Sequence, residues 1–160
     1  MSLHQRFDGL IVYATPGSGK TYLSENYDNV IDGDDVLLEI IERLSPNFEF
    51  IHRCHPVINL RRYCAYNPRK FNLLYKLAKE EFQQKAEDGF IVLTGSIRLM
   101  HLADIVFVQR NDRINSARNF DQDREDRKIN QLMRKGILDS SMVKYMNNYL
   151  EHYLKYQYRR

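Results

Sequence analysis

The chain has 160 residues, 28% of them charged, and a formal net charge of +3 at pH 7, which suits one soluble domain with a buried core. Its mean hydropathy is −0.57, and no apolar run approaches the roughly 20 residues of a membrane helix, so we expect no membrane partner. Two cysteines, Cys54 and Cys64, are too few for a disulfide framework, and no apolar secretory leader is visible; both observations favour the reducing cytoplasm.

The first predicted strand, residues 9–14, runs into a glycine-containing segment that opens a predicted helix ending near residue 27. Residues 14–21 read Ala-Thr-Pro-Gly-Ser-Gly-Lys-Thr and match the phosphate-binding P-loop, in the order of strand, loop and helix that this motif requires. Glycines let successive backbone N–H groups point inward and form an anion site at a helix N-terminus. The segment therefore predicts a binding site for ATP or another nucleoside triphosphate.

Each position of this loop has an expected role. Lys20 would reach the β- and γ-phosphates of the nucleotide, and the hydroxyl of Thr21 would bind Mg²⁺. Ala14 stands at the first position of the motif, where glycine is the more common residue, and leaves the phosphate cradle intact. The residues expected to contact the nucleotide are Ala14, Pro16, Gly17, Ser18, Gly19, Lys20 and Thr21.

The second predicted strand, residues 29–32, ends in a cluster of carboxylates. Ligands of open α/β sheets bind at the carboxyl ends of the strands, so these side chains are expected to face the phosphates. We predict that Asp32 organises Mg²⁺ and that Asp34 acts as a base or contacts the acceptor. The alternative for Asp34 and Asp35 is a simpler one, in which they cap the helix predicted over residues 34–44.

In the rest of the chain, the hydrophobic pattern predicts alternating helices and strands up to residue 108 and helices beyond it. After a section without a consistent pattern at residues 48–67, a helix is predicted over residues 68–88. Two further strands are predicted at residues 90–93 and 104–108, with no clear fifth strand after them. The last three predicted helices cover residues 114–119, 122–135 and 140–156. The sequence thus predicts one α/β domain over residues 1–160, with a mostly parallel sheet of four or five strands and a helical C-terminal part.

The helix predicted over residues 140–156 has a stripe of apolar and tyrosine side chains at helical spacing. The stripe consists of Met142, Tyr145, Met146, Tyr149, Leu150, Tyr153 and Leu154. We expect it to pack on the core, and the alternative is a surface on which bases stack.

Taken together, the loop of residues 14–21, the Asp-Gly-Asp-Asp of residues 32–35 and the arginine-bearing C-terminal half resemble the P-loop kinases of the nucleoside and nucleotide kinase group. Residues 89–98, Gly-Phe-Ile-Val-Leu-Thr-Gly-Ser-Ile-Arg, are similar to a segment of its adenylate kinase-like members, in which the arginine contacts the acceptor phosphate. Thr94 stands where that family usually has an aspartate. The resemblance implies a three-layer α/β/α P-loop NTPase fold and a phosphotransferase that uses ATP, or another nucleoside triphosphate, and Mg²⁺.

The resemblance also implies a short lid at about residues 111–135. Its arginines Arg118, Arg124 and Arg134 are expected to be catalytic, because guanidinium groups stabilise the charge of the transferring phosphoryl group. An insert at about residues 36–89 is expected to form the acceptor site. The candidate acceptor contacts are Asp34, Arg53, Arg61, Arg62 and Arg98.

The sequence is compatible with three functions. The basic, acid-free residues 51–70 favour an acceptor that already carries phosphate, such as a nucleoside monophosphate. The aspartates at 32 and 34 also suit a hydroxyl acceptor, such as a small molecule or the 5′ end of a polynucleotide, because a hydroxyl needs a base. Thr94 and the lack of a clear fifth strand favour a third reading, an NTP-binding switch with little transferase activity.

Overall fold

The computed structural model describes residues 9–15, 18–51, 56–110 and 122–158. The strands in these residues are β1 Leu10–Ala14, β2 Val30–Asp32, β3 Ile91–Thr94, β4 Ile105–Gln109 and β5 Val143–Met146. The helices are α1 Lys20–Asn26, α2 Gly33–Leu44, α3 Pro56–Tyr66, α4 Phe71–Glu87, α5 Gln122–Arg134 and α6 Leu150–His152, which a π-helical turn Tyr153–Gln157 continues. Short 3-10 helices lie at Pro68–Lys70, Ile97–Leu102 and Ser140–Met142.

All five strands pair in parallel in the order β2-β3-β1-β4-β5. From β1 the chain crosses to β2 and returns through β3, whereas from β4 it continues outward to β5. The connections that leave the neighbouring strands β1 and β4 therefore run in opposite directions. In an open α/β sheet such a divergence leaves a crevice at the carboxyl ends of the two strands.

Both faces of the sheet are covered by helices. On one face, Leu10 and Val12 of β1 pack in a cluster with Leu23 of α1 and with Leu150 and Leu154 near the C-terminal end of the described chain. The other face packs against two groups of helices. Ile11 contributes to a cluster with α2, α3 and α4, while Tyr13 and Val106 contribute to one with α5. Burial on both faces explains why the strands of a parallel sheet read as continuous apolar runs. The arrangement is α/β and compatible with three layers.

The sequence-based elements are confirmed for the first four strands, each of which starts one residue later than predicted. The helix predicted over residues 114–119 lies outside the described residues. A helix is present at Pro56–Tyr66, a section without a consistent hydrophobic pattern. Its inner face includes the buried Asn59, whose side-chain amide is hydrogen-bonded to the backbone of Ile51. This polar residue interrupts the apolar stripe that would have indicated the helix.

The prediction of one helix over residues 140–156, with no fifth strand, is wrong. Val143–Met146 instead forms β5, in register from Val106↔Val143 to Gln109↔Met146, and helical structure resumes only at Leu150. Pairing along the edge of β4 satisfies backbone groups of both strands, and this tertiary gain outweighs a helical spacing of apolar side chains. Among the described residues, no helix has both the length and the apolar content to cross a membrane.

Candidate functional site

The loop that follows β1 is fixed at both ends by hydrogen bonds to its own backbone and to β4. The buried Thr15 accepts from the backbone N–H of Gln109 through its hydroxyl (2.9 Å) and donates its own N–H to Phe107 (3.2 Å). The buried Ser18 hydroxyl donates to the carbonyl of Thr15 at 2.7 Å. Pro16 and Gly17, two of the predicted nucleotide contacts, lie outside the described residues. The described ends of the loop therefore stand at the crevice between β1 and β4.

Gly19 closes this loop with a backbone conformation that few other residues adopt. Its φ of +93° lies in the left-handed region, where a Cβ is unfavourable. The carbonyl of Gly19 then accepts the N–H of Leu23 at 3.1 Å, which begins α1. The predicted glycine is thus required by the turn itself, and Thr21 follows on the exposed first turn of α1.

Lys20 turns its ammonium back toward the carboxyl end of the sheet. Nζ donates to the carbonyls of Ala14 (3.1 Å) and Thr15 (3.3 Å). On the other side it lies against Gly95, just beyond β3, where an added Cβ would be 3.2 Å from Nζ. Sequence reasoning did not single out Gly95 as a neighbour of Lys20, although its position after a buried strand was a signal. The ammonium therefore lies between the carboxyl ends of β1 and β3.

The aspartate that caps the helix after β2 is not one of the two that the sequence suggested as caps. Asp32 is the N-cap of α2, because its Oδ1 accepts the backbone N–H of Asp34 at 3.0 Å, so the capping residue is Asp32 and not Asp34 or Asp35. Asp34 lies in the first helical turn. Burial, together with the nearby Asp32 carboxylate, raises the pKa of Asp35. Next along this edge, the buried hydroxyl of Thr94 accepts the N–H of Ser96 at 3.1 Å.

The predicted Mg²⁺ ligands are Thr21 and Asp32. In the described chain, no group of three or more His, Cys, Asp or Glu side chains is placed to hold a metal ion by itself. Mg²⁺ keeps several waters and is usually held by one or two protein oxygens plus substrate phosphates. The hydroxyl of Thr21 and the carboxylate of Asp32 are oxygen donors of the required kind.

Two of the predicted acceptor contacts, Arg98 and Asp34, lie close to each other. The guanidinium of Arg98 lies over the ring of Phe71, 4.1 Å from its centroid, and 5.8 Å from that of Tyr75. Burial is the main cause that raises the pKa of Tyr75, and the charges of Arg98 and Asp34 act on the same hydroxyl. Arg98 and Asp34 therefore share one neighbourhood, beside α4. The α3 residue Cys64 adjoins it, since the charge of Arg98 lowers the thiol pKa that burial raises.

The other predicted acceptor arginines are not all brought to this neighbourhood. Arg61 is exposed on α3, one helical turn before Cys64. Arg62 instead donates to the carbonyl of Glu49 at 2.9 Å and lies over the ring of Phe48. It thereby holds the segment before α3, and Arg53 lies outside the described residues.

The predicted lid arginines do not meet at one point among the described residues. Arg118 lies outside them. Arg124 and Arg134 are both exposed on α5, near its two ends, and ten residues of helix separate their Cα atoms by about 15 Å. Arg124 is the nearer to β1, because its charge acts on the hydroxyl of Tyr13.

A buried carboxylate on α5 was missed by the sequence-based prediction. Glu125 is 0% exposed, and its Oε2 accepts a hydrogen bond from the hydroxyl of Tyr13 at 2.7 Å. Burial raises the pKa of Glu125 to about 7, although the charges of Arg110 and Lys20 and the bond from Tyr13 oppose this rise. The signal in the sequence was its spacing, four residues before the buried Ile129 on an otherwise apolar face.

Arg110, directly after β4, is the second charged residue that was missed. Its Nη2 lies 2.6 Å from Oδ1 of Asp126, and its guanidinium lies over the ring of Tyr145. Its backbone N–H donates to the carbonyl of Met146 at 2.8 Å, at the end of β5. Arg110 therefore ties α5 and β5 to the carboxyl end of β4.

The segment after β5 reaches the loop that follows β1. The backbone N–H of Leu150 donates to the carbonyl of Ser18 at 3.0 Å. The side chain of Tyr149 lies 3.7 Å from the place that a Cβ on Gly19 would take, and it is 55% exposed. The side chain of Gln109 bonds the carbonyl of Asn148 in the same segment. An exposed aromatic ring thus stands beside Gly19.

Comparisons of the chain with protein-family models, with curated proteins and with solved structures found no match.

Proposed function

We propose that the protein is an ATP- and Mg²⁺-dependent phosphotransferase whose acceptor is a nucleoside monophosphate. The observation that carries the proposal is the position of Lys20. Its ammonium lies between the carboxyl ends of the central strands β1 and β3, bonded to the carbonyls of Ala14 and Thr15. It directly follows Gly19, whose left-handed turn suits the motif of residues 14–21.

The donor nucleotide would lie in the crevice at the carboxyl ends of β1 and β4. There Gly19 contributes its backbone N–H group, and Lys20 exchanges its carbonyl partners for the β- and γ-phosphates. Thr21 and Asp32 would hold a Mg²⁺, which would supply positive charge beside the phosphates. The ring of Tyr149 offers the nucleobase a stacking surface next to Gly19.

The acceptor would lie on the side of α3 and α4. Arg98 supplies a guanidinium that is held over the ring of Phe71, and Arg61 is exposed on the neighbouring helix. Cations at this place favour an acceptor that carries its own phosphate, since guanidinium groups bind phosphate through paired hydrogen bonds.

A second candidate is a kinase that acts on a hydroxyl, including the 5′ end of a polynucleotide. The observation in its favour is Asp34, which lies in the same neighbourhood as Arg98 and Tyr75 and could accept the proton of an attacking hydroxyl. A nucleotide-dependent switch is less well supported. The absence of a fifth strand was an argument for it, and β5 is present in the sheet.

The test is a phosphoryl-transfer assay with γ-labelled ATP and Mg²⁺. Nucleoside monophosphates, nucleosides and 5′-hydroxyl oligonucleotides are offered separately. We expect label on a nucleoside monophosphate and a loss of roughly 100-fold or more for Lys20→Ala, because the variant lacks a charge that stabilises the transition state. Lys76→Ala, an exposed change on α4, is the matched control and should keep the wild-type rate.

Other results would redirect or end the proposal. Label on nucleosides or oligonucleotides alone would establish the second candidate. Nucleotide binding without label on any acceptor would support the switch. Transfer that is equally fast in Lys20→Ala would contradict the assignment of the donor site.

A further inference from the structure

α5 places a carboxylate where its neighbours are apolar. Glu125 is 0% exposed, and Ile129 and Leu132, four and seven residues later, are buried in the cluster with β4. Burial of an ionised carboxylate is costly unless other groups compensate its charge. A glutamate at this position therefore depends on the groups around it.

The groups that face Glu125 come from four elements. β1 contributes the hydroxyl of Tyr13, α1 the ammonium of Lys20, the residue after β4 the guanidinium of Arg110, and α5 itself the carboxylate of Asp126. Arg124 acts on the same pair through the Tyr13 hydroxyl. Two cations and one hydrogen-bond donor thus favour the ionised form of Glu125, while burial and Asp126 favour the neutral form.

The hydrogen bonding of this carboxylate is only half complete. Oε2 accepts from Tyr13, whereas Oε1 is buried with no hydrogen-bond partner among the residues that the structure describes. Within the same described residues, Nη1 of Arg110 is also buried and lacks a hydrogen-bond partner. Buried polar atoms without hydrogen-bond partners are rare in folded proteins. Here there are two of them, the acceptor Oε1 of Glu125 and the donor Nη1 of Arg110.

The position of Glu125 relates it to Lys20. Tyr13, which bonds Glu125, directly precedes Ala14, whose carbonyl accepts from Lys20. The charge of Lys20 acts on Glu125 as well, and Gly95 lies against the ammonium from beyond β3. A carboxylate at this place attracts the ammonium and opposes an incoming anion.

From this geometry, and resting on the proposed function, we propose that Glu125 is a positioning residue for Lys20 that takes up one proton when a polyphosphate binds. Above about pH 7, while the site lacks phosphate, the carboxylate is mainly ionised and attracts the ammonium, which the carbonyls of Ala14 and Thr15 hold at the carboxyl end of β1. When phosphates arrive, Lys20 pairs with them and their negative charge favours the neutral form of Glu125. The proton comes from the buffer and forms an O–H bond on the carboxyl group, and no covalent bond breaks in the protein.

Burial places this exchange near neutral pH. The pKa of Glu125 is raised to about 7 before any anion binds, and an anion raises it further. Polyphosphate binding should therefore weaken as pH rises through neutrality, because a growing fraction of the protein must first take up a proton.

The experiment is calorimetry with a non-hydrolysable ATP analogue and Mg²⁺, from about pH 6 to about pH 8.5, in two buffers of different ionisation enthalpy. For the wild-type protein we expect Kd to rise about tenfold over this range, with net proton uptake. Glu125→Gln should remove both effects apart from those of the nucleotide itself. Asp123→Asn, an exposed change on the same helix, is the matched control and should behave as wild type.

A second variant makes the outcome independent of how well Glu125→Gln folds. Tyr13→Phe removes the hydrogen bond that favours the ionised carboxylate, so the midpoint of the pH dependence should move up by about one unit. Unchanged pH dependence and proton uptake in Glu125→Gln, or an unmoved midpoint in Tyr13→Phe, would overturn the proposal while nucleotide binding still supports the proposed function. Failure of the wild-type protein to bind the analogue at every pH would overturn both.

Discussion

At the scale of single residues, the position of the Lys20 ammonium depends on small neighbours as much as on charge. Gly95 leaves room for the end of the lysine side chain, and the carbonyls of Ala14 and Thr15 accept its hydrogen bonds. Gly33 is also closely packed, but its neighbours are a backbone carbonyl and an aromatic ring. The two glycines therefore have different roles, one beside the candidate site and one in the core.

Gly95→Ala is expected to weaken nucleotide binding more than it weakens the fold. The new Cβ would lie 3.2 Å from Nζ of Lys20, which is close but can be relieved by movement of a flexible side chain. The displaced ammonium should raise the Kd for ATP about tenfold, since misplacement by about 1 Å is costly in a preorganised site. Titration calorimetry and thermal unfolding of the same preparation would measure both effects.

Gly33→Ala provides the contrast. Its Cβ would lie 2.7 Å from the carbonyl oxygen of Leu93 and 2.7 Å from the ring of Phe82, and neither can move freely in a packed core. We expect a loss of about 1–3 kcal/mol in the free energy of unfolding. A Gly95→Ala protein that is destabilised as much as Gly33→Ala, with unchanged affinity, would show that Gly95 serves the fold and not the lysine.

At the scale of elements, Thr15 joins the carboxyl ends of β1 and β4 through its hydroxyl as well as through its backbone N–H. Thr15 accepts the N–H of Gln109, and its hydroxyl lies 3.0 Å from that of Ser18. All three residues are 0% exposed. This contact holds the loop after β1 against the neighbouring strand, on the side where their connections diverge.

Replacement of Thr15 by valine keeps the shape of the side chain and removes the hydroxyl. The buried N–H of Gln109 then loses its acceptor, which should lower the free energy of unfolding by about 1–3 kcal/mol. Thr15→Ser keeps the hydroxyl and should lose clearly less. Denaturant unfolding of the two variants measures the difference, and equal stabilities would show that the hydroxyl does not support this joint.

The elements that the sequence predicted are those with one dominant local signal. The strand at Leu10–Ala14 is a continuous apolar run, and Gly19 and Lys20 belong to a motif with a fixed spacing. β5 could not be predicted in this way, because its residues show helical spacing and only the edge of β4 selects the strand. Glu125 was missed for a similar reason. Its position on the helix was predictable, but Tyr13 and Lys20, which give it a role, are 112 and 105 residues away in the sequence.

At the scale of the whole molecule, the two faces of the sheet differ in their polar content. The face toward α1 and α6 has an apolar cluster built around Val12 and Phe107. On the face toward α5, the cluster that includes Tyr13 and Val106 adjoins the buried carboxylate of Glu125. The stability of the protein should therefore depend on pH through this second face.

The sign of this dependence follows from the raised pKa. Glu125 has a pKa of about 7 in the folded protein against an ordinary value of 4.5, so the folded state holds its proton more tightly than the unfolded chain. The stabilisation from the protonated form is fully present below about pH 4.5 and is lost as pH rises through about 7, with a total loss of about 3 kcal/mol.

Glu125→Gln should not show this loss. We expect its advantage over the wild-type protein to grow between about pH 5 and about pH 8, whereas Asp123→Asn should follow the wild type. Denaturant unfolding at several pH values gives the three curves. A constant difference between Glu125→Gln and wild type across this range would mean that the carboxyl group is not protonated near neutrality.

The hydrogen bond between Leu150 and Ser18 has a consequence for synthesis of the chain. The loop after β1 leaves the ribosome well before its partner segment, which is 132 residues later. Until that segment emerges, the edge of β4 has no partner strand and the loop lacks the contact with Tyr149 and Leu150. Such unpaired edges in incomplete chains favour aggregation and binding by chaperones. The nascent protein thus carries the loop after β1 long before the segment that packs on it is made.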